Sequence, residues 1–458
     1  MGFFKAYDMR GTFGADFDID TVFRVGKALP EVVQGKRWLV GRDCRTTSPD
    51  VSSALVAGLA AAGADVTDLG PATTPMVYFF TAEDGYDGSV MVTASHNPPT
   101  DNGLKVSTRG ARPVGYADGL DRVERLVLGT DPEKPNKNNG FAGSVPNPPP
   151  AAARAAEGAL PRYIAWMRER KPDLSGLRFA VDCSCGTASL MAKELFPEAE
   201  IVNDTPDGRF PAHSPNPLKA EAREQIAALV RAKGLDAGIV FDGDADRCMF
   251  VDENGEFVQP DYLVPVVAAA CGAGKGDIVI HDVRTSRGAI EAIRRLGAEP
   301  MMVPVGHAFA KPALRKSGAI CGGELAGHYY FREFHCCDSG VLAALKVLGE
   351  VAKAKRKGTT FSQMMKPISG VYANSGEINF RVDDKDAAIE RALAALRASG
   401  LSETSRSEMD GVRVEFADGW VSLRKSNTEP YLRLVAECAG ADRLAAWTSL
   451  VSEAVNAR

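Results

Sequence analysis

The strongest constraint on this chain is an alternation of short apolar strand-like runs with helical stretches, which recurs in three successive units. In the first, Trp38-Leu39-Val40-Gly41 reads as a strand and Pro49 to Ala62 as an alanine-rich helix with proline near its start. Ala64-Asp65-Val66-Thr67-Asp68-Leu69 returns as a strand. In the second, Leu177 to Asp182 is a strand, Cys185-Gly186-Thr187-Ala188-Ser189 a tight turn into a helix, and Leu235 to Phe241 another strand. Asn254-Gly255, between Met249-Phe250-Val251 and Phe257-Val258, predicts a hairpin. The third unit starts near Gln259, with Asp277 to His281 as strand, Ser286 to Leu296 as helix and a long alanine-rich helix from Gly340 to about Lys355. Such alternation predicts parallel or mixed sheets with helical crossovers.

The last unit, from roughly Ser369, has a different grammar. It runs strand, helix, a hairpin at Asp418-Gly419, strand, and a terminal helix over Ala441 to Val455, which predicts a smaller α+β domain. A stretch rich in Pro, Asn, Lys, Gly and Ala from Asp131 to Ala152 has no periodicity and reads as a linker; a helix around Pro161 to Glu169 follows it. The expected units are therefore 1–140, 153–256, 257–368 and 369–458, in keeping with a chain of 458 residues that exceeds one hydrophobic core. The first three share a rhythm, with no residue-level repeat between them.

Composition removes several function classes. A net charge of −5 is not the basic balance that nucleic acid selects, and no apolar run has the length of a membrane span. Met1-Gly2-Phe3-Phe4-Lys5 lacks the apolar region of a signal peptide, so a cytoplasmic protein is expected. The nine cysteines, odd in number and scattered, fit reduced thiols; structural zinc is disfavoured because paired CxxC spacing is absent.

Four loops carry chemistry. Thr93-Ala94-Ser95-His96-Asn97-Pro98-Pro99 begins where the run Gly88 to Val92 ends, which places the Ser95 hydroxyl on a proline-stiffened loop at the carboxyl end of a strand. A hydrolase triad is disfavoured, because adjacent Ser and His in a loop rarely meet as nucleophile and base. Asp242-Gly243-Asp244-Ala245-Asp246-Arg247 follows the strand ending at Phe241. Three aspartates at alternate positions suit a hard divalent cation, and the spacing excludes an EF-hand; a solvated acidic turn is the competing reading. With no base beside it, Ser95 needs another activating group, and such an ion supplies one: if the two loops meet, Ser95 or a phosphate on it is a fourth ligand, and the chemistry becomes phosphoryl transfer.

The third loop, Gly322-Gly323-Glu324-Leu325-Ala326-Gly327-His328-Tyr329-Tyr330-Phe331, sets one carboxylate and one imidazole among glycines, so that Glu324 can accept from two vicinal hydroxyls, unless it is a capping or ion-paired surface residue. His307, after Pro304-Val305-Gly306, is either a helix cap or a phosphate ligand. The fourth, Arg424-Lys425-Ser426-Asn427-Thr428-Glu429-Pro430, offers a guanidinium, hydroxyls, an amide and backbone N–H groups that can surround a phosphate dianion, though a plain polar turn has the same look.

With these four loops in order, the sequence resembles the α-D-phosphohexomutase family, in its bacterial phosphomannomutase/phosphoglucomutase branch. Phe4-Lys5-Ala6-Tyr7-Asp8-Met9-Arg10-Gly11 and Val40-Gly41-Arg42-Asp43-Cys44-Arg45 are similar to two further motifs of that family. The resemblance implies an α/β protein of four domains around a central cleft, the first three with similar mixed sheets sandwiched by helices and the fourth a smaller α+β domain. It implies Ser95 phosphorylated at rest, Mg²⁺ held by Asp242, Asp244, Asp246 and the phosphoserine, and phosphate passing to a hexose monophosphate to give a hexose 1,6-bisphosphate. Arg424, Ser426, Asn427 and Thr428 would hold the non-reacting phosphate; Glu324 and His328 would grip the sugar, with His307 and Arg284 also on the substrate. Lys105 matches the family's general acid/base, its pKa lowered by a neighbouring Mg²⁺ or arginine. Arg10 and Arg247 would neutralise the transition state or the sugar phosphate, unless they are ion-paired scaffolding.

The sequence departs from the family at three places. Ala326 replaces a common serine and removes one hydrogen bond to a sugar hydroxyl, worth about 0.5–1.5 kcal/mol. Arg284 stands at a lysine position and changes the geometry of a phosphate contact. Cys248 follows the metal loop, as an inert buried thiol or an oxidant-sensitive one. The expected partner is a small phosphosugar, with the chain as a monomer or homodimer. Phosphoglucosamine mutase, a phosphosugar-binding protein without turnover and a metal-dependent phosphatase are the alternatives.

Overall fold

The computed structural model describes residues 2–131, 153–425 and 431–457. Past Asp131, the expected linker lies outside them. The first sheet orders its strands Met9–Thr12, Asp101–Thr108, Gly88–Val92, Arg37–Arg42, Asp65–Pro71 and Arg154–Ala155, with Arg112–Pro113 paired to Asp101–Thr108. Arg37–Arg42 pairs in parallel with both Asp65–Pro71 and Gly88–Val92, and the latter pairs antiparallel with Asp101–Thr108. The second sheet runs Phe257–Val258, Cys248–Asp252, Ala237–Phe241, Phe179–Asp182, Glu200–Val202, and the third Glu299–Val303, Ile278–Asp282, Cys321–Gly323, Tyr329–Phe331, Cys337–Asp338. The fourth unit has an all-antiparallel sheet backed by two helices, Lys385–Ala398 and Ala441–Asn456. Asn254-Gly255 forms the expected hairpin, with Gly255 at φ 71°.

One backbone plan recurs in the first three sheets. In each, a strand of the parallel core is followed by a loop and an antiparallel return strand, with Val92 opposite Leu104, Phe241 opposite Cys248 and Gly323 opposite Tyr329. The serine, aspartate and Gly-Glu-His loops occupy these three turns. The repeat absent from the residues is present in the hydrogen bonding.

The helix Thr74–Glu83 explains how the three turns meet. Its sequence is apolar all round, as a helix must be when no face meets water, and Thr74 to Thr81 are all buried. Phe79 packs against Tyr163 and Trp166 of the second unit and Phe334 of the third, so one apolar cluster spans residues 39–368. The fourth unit keeps its own cluster, within residues 378–455. No helix among the described residues is long and apolar enough to cross a membrane.

The third and fourth units meet through polar groups instead. Arg287 gives its backbone N–H to Glu437 and its guanidinium to Glu415, Ala417, Phe416 and Gly419; the buried Arg413 donates to the carbonyls of Val283 and Thr285. Beside them the buried Asp261 accepts from the Ser286 N–H, at 2.9 Å, before the helix Arg287–Arg295. Burial, with nearby Glu437 and Asp282, outweighs that hydrogen bond and pushes the Asp261 carboxyl up to about 7. The unfolded carboxyl ionises near about pH 4. The unfolded state therefore sheds its proton first, and Asp261 destabilises the fold increasingly from there until the penalty is complete above about pH 7. Asp261→Asn is expected to improve in stability relative to the parent by about 2–4 kcal/mol between about pH 4 and pH 8. Unfolding measured at the two pH values checks this, and a difference that does not change with pH would contradict it.

Candidate active site

Ser95 sits at φ 50°, the left-handed region, in a loop clasped by one arginine. The buried Arg45 guanidinium donates to the carbonyl oxygens of Ser95, Asn97, Pro98 and Asp101 at 2.6–2.9 Å, and Asp43 orients it at 3.1 Å. Asp43 also accepts from Thr93 and Ser48. The proline-stiffened loop is thus tied down by its carbonyls, which leaves the Ser95 side chain free to serve another purpose. Its hydroxyl donates to Asp242 Oδ2 at 2.7 Å, so the serine and aspartate loops do meet. Gly243 makes this approach possible, because a Cβ there would stand 2.7 Å from the Ser95 carbonyl oxygen. His96 Nδ1 lies 3.3 Å from Ser95 Oγ. Burial, then Arg247 and Arg10, hold that imidazole neutral, its pKa far below the usual range.

The acidic turn is buried rather than solvated. Asp242, Asp244 and Asp246 are at most 1% exposed, and each presents a carboxylate oxygen within 4.8 Å of the others. Burial, with Asp246 and Asp244 alongside, pushes the Asp242 pKa well above the carboxylate range. Asp244 Oδ1 and Asp246 Oδ1 are buried without a hydrogen-bond partner. Orphaned, like-charged hard oxygens turned toward one point are the donor set a divalent cation takes. The site therefore fits the expected metal on its own chemistry.

Lys105, on the strand Asp101–Thr108, reaches into this cluster, with Nζ at 2.8 Å from Asp244 Oδ2 and 2.5 Å from Asp246 Oδ2. Its pKa is raised rather than lowered in these contacts. Burial disfavours the charge, but Asp244 and Asp246 together outweigh both burial and Arg10. Arg10 is opposite Gly103 in the adjoining strand, where a Cβ at Gly103 would collide with the Met9 carbonyl oxygen at 2.3 Å. Its guanidinium pairs with Asp8 at 2.6 Å and Asn97 Oδ1 at 3.1 Å. Arg247 donates through Nε to His328 Nε2 at 2.9 Å and lies 3.8 Å from Asp242 Oδ2. Both arginines are thus held by neighbours while facing the acidic cluster.

Glu324 is fully enclosed, not a surface residue: it accepts from the Tyr330 hydroxyl and from the Gly306 N–H, the latter at 3.1 Å. Burial raises its pKa. His307 opens the helix His307–Ser317, with Gly306 preceding it, and its own Nδ1 is buried without a partner. Burial and Lys311 lower its pKa to about 3, so it is a neutral group with polar capacity to spare. Arg284 pairs with Asp282 at 2.6 Å and approaches Glu377 of the fourth unit at 3.6 Å. Arg424 stands near the same Glu377 at 4.0 Å and Asp410 at 3.9 Å, its Nε hydrogen unpartnered. Burial and then Arg284 lower the Arg424 pKa, the mark of two guanidinium groups crowded as an anion would want them. Ser426, Asn427 and Thr428 lie outside the described residues. Cys248 is buried, with its thiol pushed well above its ordinary pKa by burial, which makes it inert; none of the nine cysteines is paired.

Several supporting residues carried no local signal. Thr74, first in its helix, gives its N–H to the Asp244 carbonyl at 3.0 Å and its hydroxyl to Asp244 Oδ2 at 2.6 Å. Lys311 and Asp338 stand behind His328. Arg45, Asp43 and Asp8, by contrast, lay in stretches singled out beforehand.

Family models for the phosphoglucomutase/phosphomannomutase alpha/beta/alpha domains I, II and III match residues 1–131, 159–255 and 259–369, and the model for the C-terminal domain matches residues 377–454. A phosphomannomutase of Salmonella montevideo is 36% identical over 449 residues, covering 95% of each chain. A protein of Xanthomonas campestris named for phosphohexose mutases is also 36% identical, over 444 residues and 95% of each. The crystal structure of a phosphoglucomutase/phosphomannomutase family protein from Burkholderia thailandensis superposes with a TM-score of 0.84 at 28% identity, covering 99% of this chain and 97% of that one. The chain belongs to the phosphoglucomutase/phosphomannomutase family and is a phosphohexomutase, an isomerase of hexose phosphates.

Proposed function

We propose that the protein interconverts the 1- and 6-phosphates of mannose, glucose or both, with Ser95 as a reusable phosphate carrier and a hexose 1,6-bisphosphate as the intermediate. The observation that carries this reading is the 2.7 Å contact between the Ser95 hydroxyl and the buried aspartate cluster. Mg²⁺ held by Asp242, Asp244, Asp246 and an oxygen on Ser95 would supply charge neutralisation at the transferring phosphoryl group. In the forward transfer the bond from phosphorus to Ser95 Oγ breaks as one to the sugar hydroxyl oxygen forms. The sugar hydroxyl loses a proton and Ser95 Oγ regains one. We assign that exchange to Lys105, which the two aspartates hold as an ammonium, so its first act is to donate.

The remaining residues orient and enclose. Arg10 and Arg247 face the reacting charge, Glu324 takes sugar hydroxyls, and His307 with Arg284 contacts the substrate; His328, expected to grip the sugar as well, has both ring nitrogens engaged by Asp338 and Arg247 and acts by holding Arg247. Arg424, together with Ser426, Asn427 and Thr428, receives the phosphate that is not reacting. The proposed units are 1–140, 153–256, 257–368 and 369–458, each lending one loop. The separate core and polar hinge of the fourth suit a unit that moves to let the bisphosphate turn.

The test is a substrate panel. Protein phosphorylated on Ser95 is expected to convert mannose 1-phosphate or glucose 1-phosphate to the 6-phosphate in the presence of Mg²⁺ and a trace of hexose 1,6-bisphosphate. Glucosamine phosphate should be turned over at least about tenfold less efficiently, a difference of about 1.4 kcal/mol in transition-state binding. Failure on both neutral sugars would overturn the reading, and a preference for glucosamine phosphate would transfer it to that substrate.

A further inference from the structure

We infer that Lys311 and Asp338 are positioning residues: together they fix the tautomer of His328 and, through it, the place of the Arg247 guanidinium. The inference rests on the roles proposed for His328 and Arg247. Lys311, on the helix His307–Ser317, is completely buried, with Nζ at 2.7 Å from Asp338 Oδ1 and 3.5 Å from the centroid of the Tyr78 ring. A buried ammonium is tolerated only when it is paired, and here a carboxylate on one side and an aromatic face on the other supply that. Asp338 offers its second oxygen to His328 Nδ1 at 2.7 Å.

The opposite ring nitrogen, Nε2, lies 2.9 Å from Arg247 Nε. An arginine nitrogen can only donate, so Nε2 must carry the lone pair. The single ring proton is then on Nδ1, given to Asp338. Arg247 has weaker holds elsewhere, at 3.8 Å from Asp242 and 3.9 Å from Asp246, so the bond to His328 is its closest side-chain anchor. A line of contacts thus runs from Tyr78 in the first unit through Lys311, Asp338 and His328 in the third to Arg247 in the second. Asp338 must hold an ammonium at one oxygen, as an ion pair outside hydrogen-bond geometry, and accept from Nδ1–H at the other, and only a carboxylate carries negative charge to both sides.

That requirement gives the experiment. In Asp338→Asn the amide has one accepting oxygen and one donating nitrogen. The Lys311 ammonium has no lone pair and must receive the oxygen, which turns the amide N–H toward His328 Nδ1. The ring proton then moves to Nε2, where it opposes the Arg247 N–H. In the double variant Lys311→Met with Asp338→Asn the ammonium's demand is gone, and the amide oxygen can turn back to Nδ1–H. Methionine is unbranched and its thioether packs well over a tyrosine ring.

Long-range ¹H–¹⁵N imidazole spectra of the full-length chain, with His328 assigned by His328→Gln, are expected to show the proton on Nδ1 in the parent, on Nε2 in Asp338→Asn and on Nδ1 again in the double variant. Mutase kcat/KM should fall about tenfold to a hundredfold in Asp338→Asn, chiefly in kcat, and recover at least tenfold in the double variant. A merely structural role predicts that the two losses add. An unchanged tautomer in Asp338→Asn, or a double variant no more active than the single one, would overturn the inference. If Asp338→Asn does not fold, the double variant still decides, since Nε2–H there contradicts it. The spectra need no turnover, so failure of the proposed reaction and failure of this inference are told apart.

Discussion

Alanine at position 95 is expected to lower mutase turnover by about 10⁴-fold or more, because the group removed is the one that carries the phosphate between substrate forms. The loss should be chemical and not structural. Arg45 holds the loop through four carbonyl oxygens, none of which depends on the Ser95 side chain. The backbone at φ 50° is already one that non-glycine residues adopt with strain, so alanine adds little beyond a lost hydrogen bond, about 1 kcal/mol in all. Asp242 loses the hydroxyl as a donor and keeps the Arg247 backbone N–H at 3.2 Å. Three measurements therefore belong together: turnover, melting temperature, and intact mass with and without a hexose 1,6-bisphosphate. The parent should gain one phosphoryl group and Ser95→Ala none, at nearly unchanged stability. Turnover above about a hundredth of the parent's would remove Ser95 from the role of carrier.

What the sequence made legible follows from what its signals depend on. Strand ends followed by Ser95 or by alternating aspartates are local patterns, and the fold sets both where a parallel sheet presents ligands. The shared plan of the three units was invisible because it resides in backbone pairing, while the turns differ in length and in every residue that matters. Nor could the sequence decide between a solvated acidic turn and a buried one. The decision comes from the helix Thr74–Glu83, which lies far away in sequence and whose first residue caps Asp244. Lys311 shows the limit most plainly. In sequence it is one lysine in a helix with two further basic residues, indistinguishable from a solvated side chain. Only the convergence of Tyr78, Asp338 and His307 around it shows that it is enclosed. Lys105 shows a related limit: its strand position was legible, but the two carboxylates that fix its charge come from the second unit.

Asp244→Asn is expected to cost about 10²–10³-fold in kcat/KM and to remove most of the stabilisation that a divalent cation gives the parent. The parent, with Mg²⁺ at 100 times its dissociation constant, should gain about 2.7 kcal/mol, whereas the variant at the same concentration should gain less than about 1 kcal/mol. Asparagine preserves the shape of the side chain and can still accept from the Thr74 hydroxyl, so the effect isolates charge and ligand number. Without any cation the variant should already be the less stable of the two. Burial and Asp246 raise the Asp244 pKa, but Lys105 and the Thr74 hydroxyl outweigh them and hold it below the ordinary carboxylate value, so its charge contributes stability at neutral pH that asparagine gives up. Lys105 does not become an orphan, because its 2.5 Å contact with Asp246 remains, and the loss is partial. The cation-free variant should thus melt somewhat below the cation-free parent, and the gap should widen as Mg²⁺ is added. A variant that is merely less stable keeps the same gap at every Mg²⁺ concentration. Parallel curves, with the variant gaining as much from Mg²⁺ as the parent does, would place the cation away from Asp244.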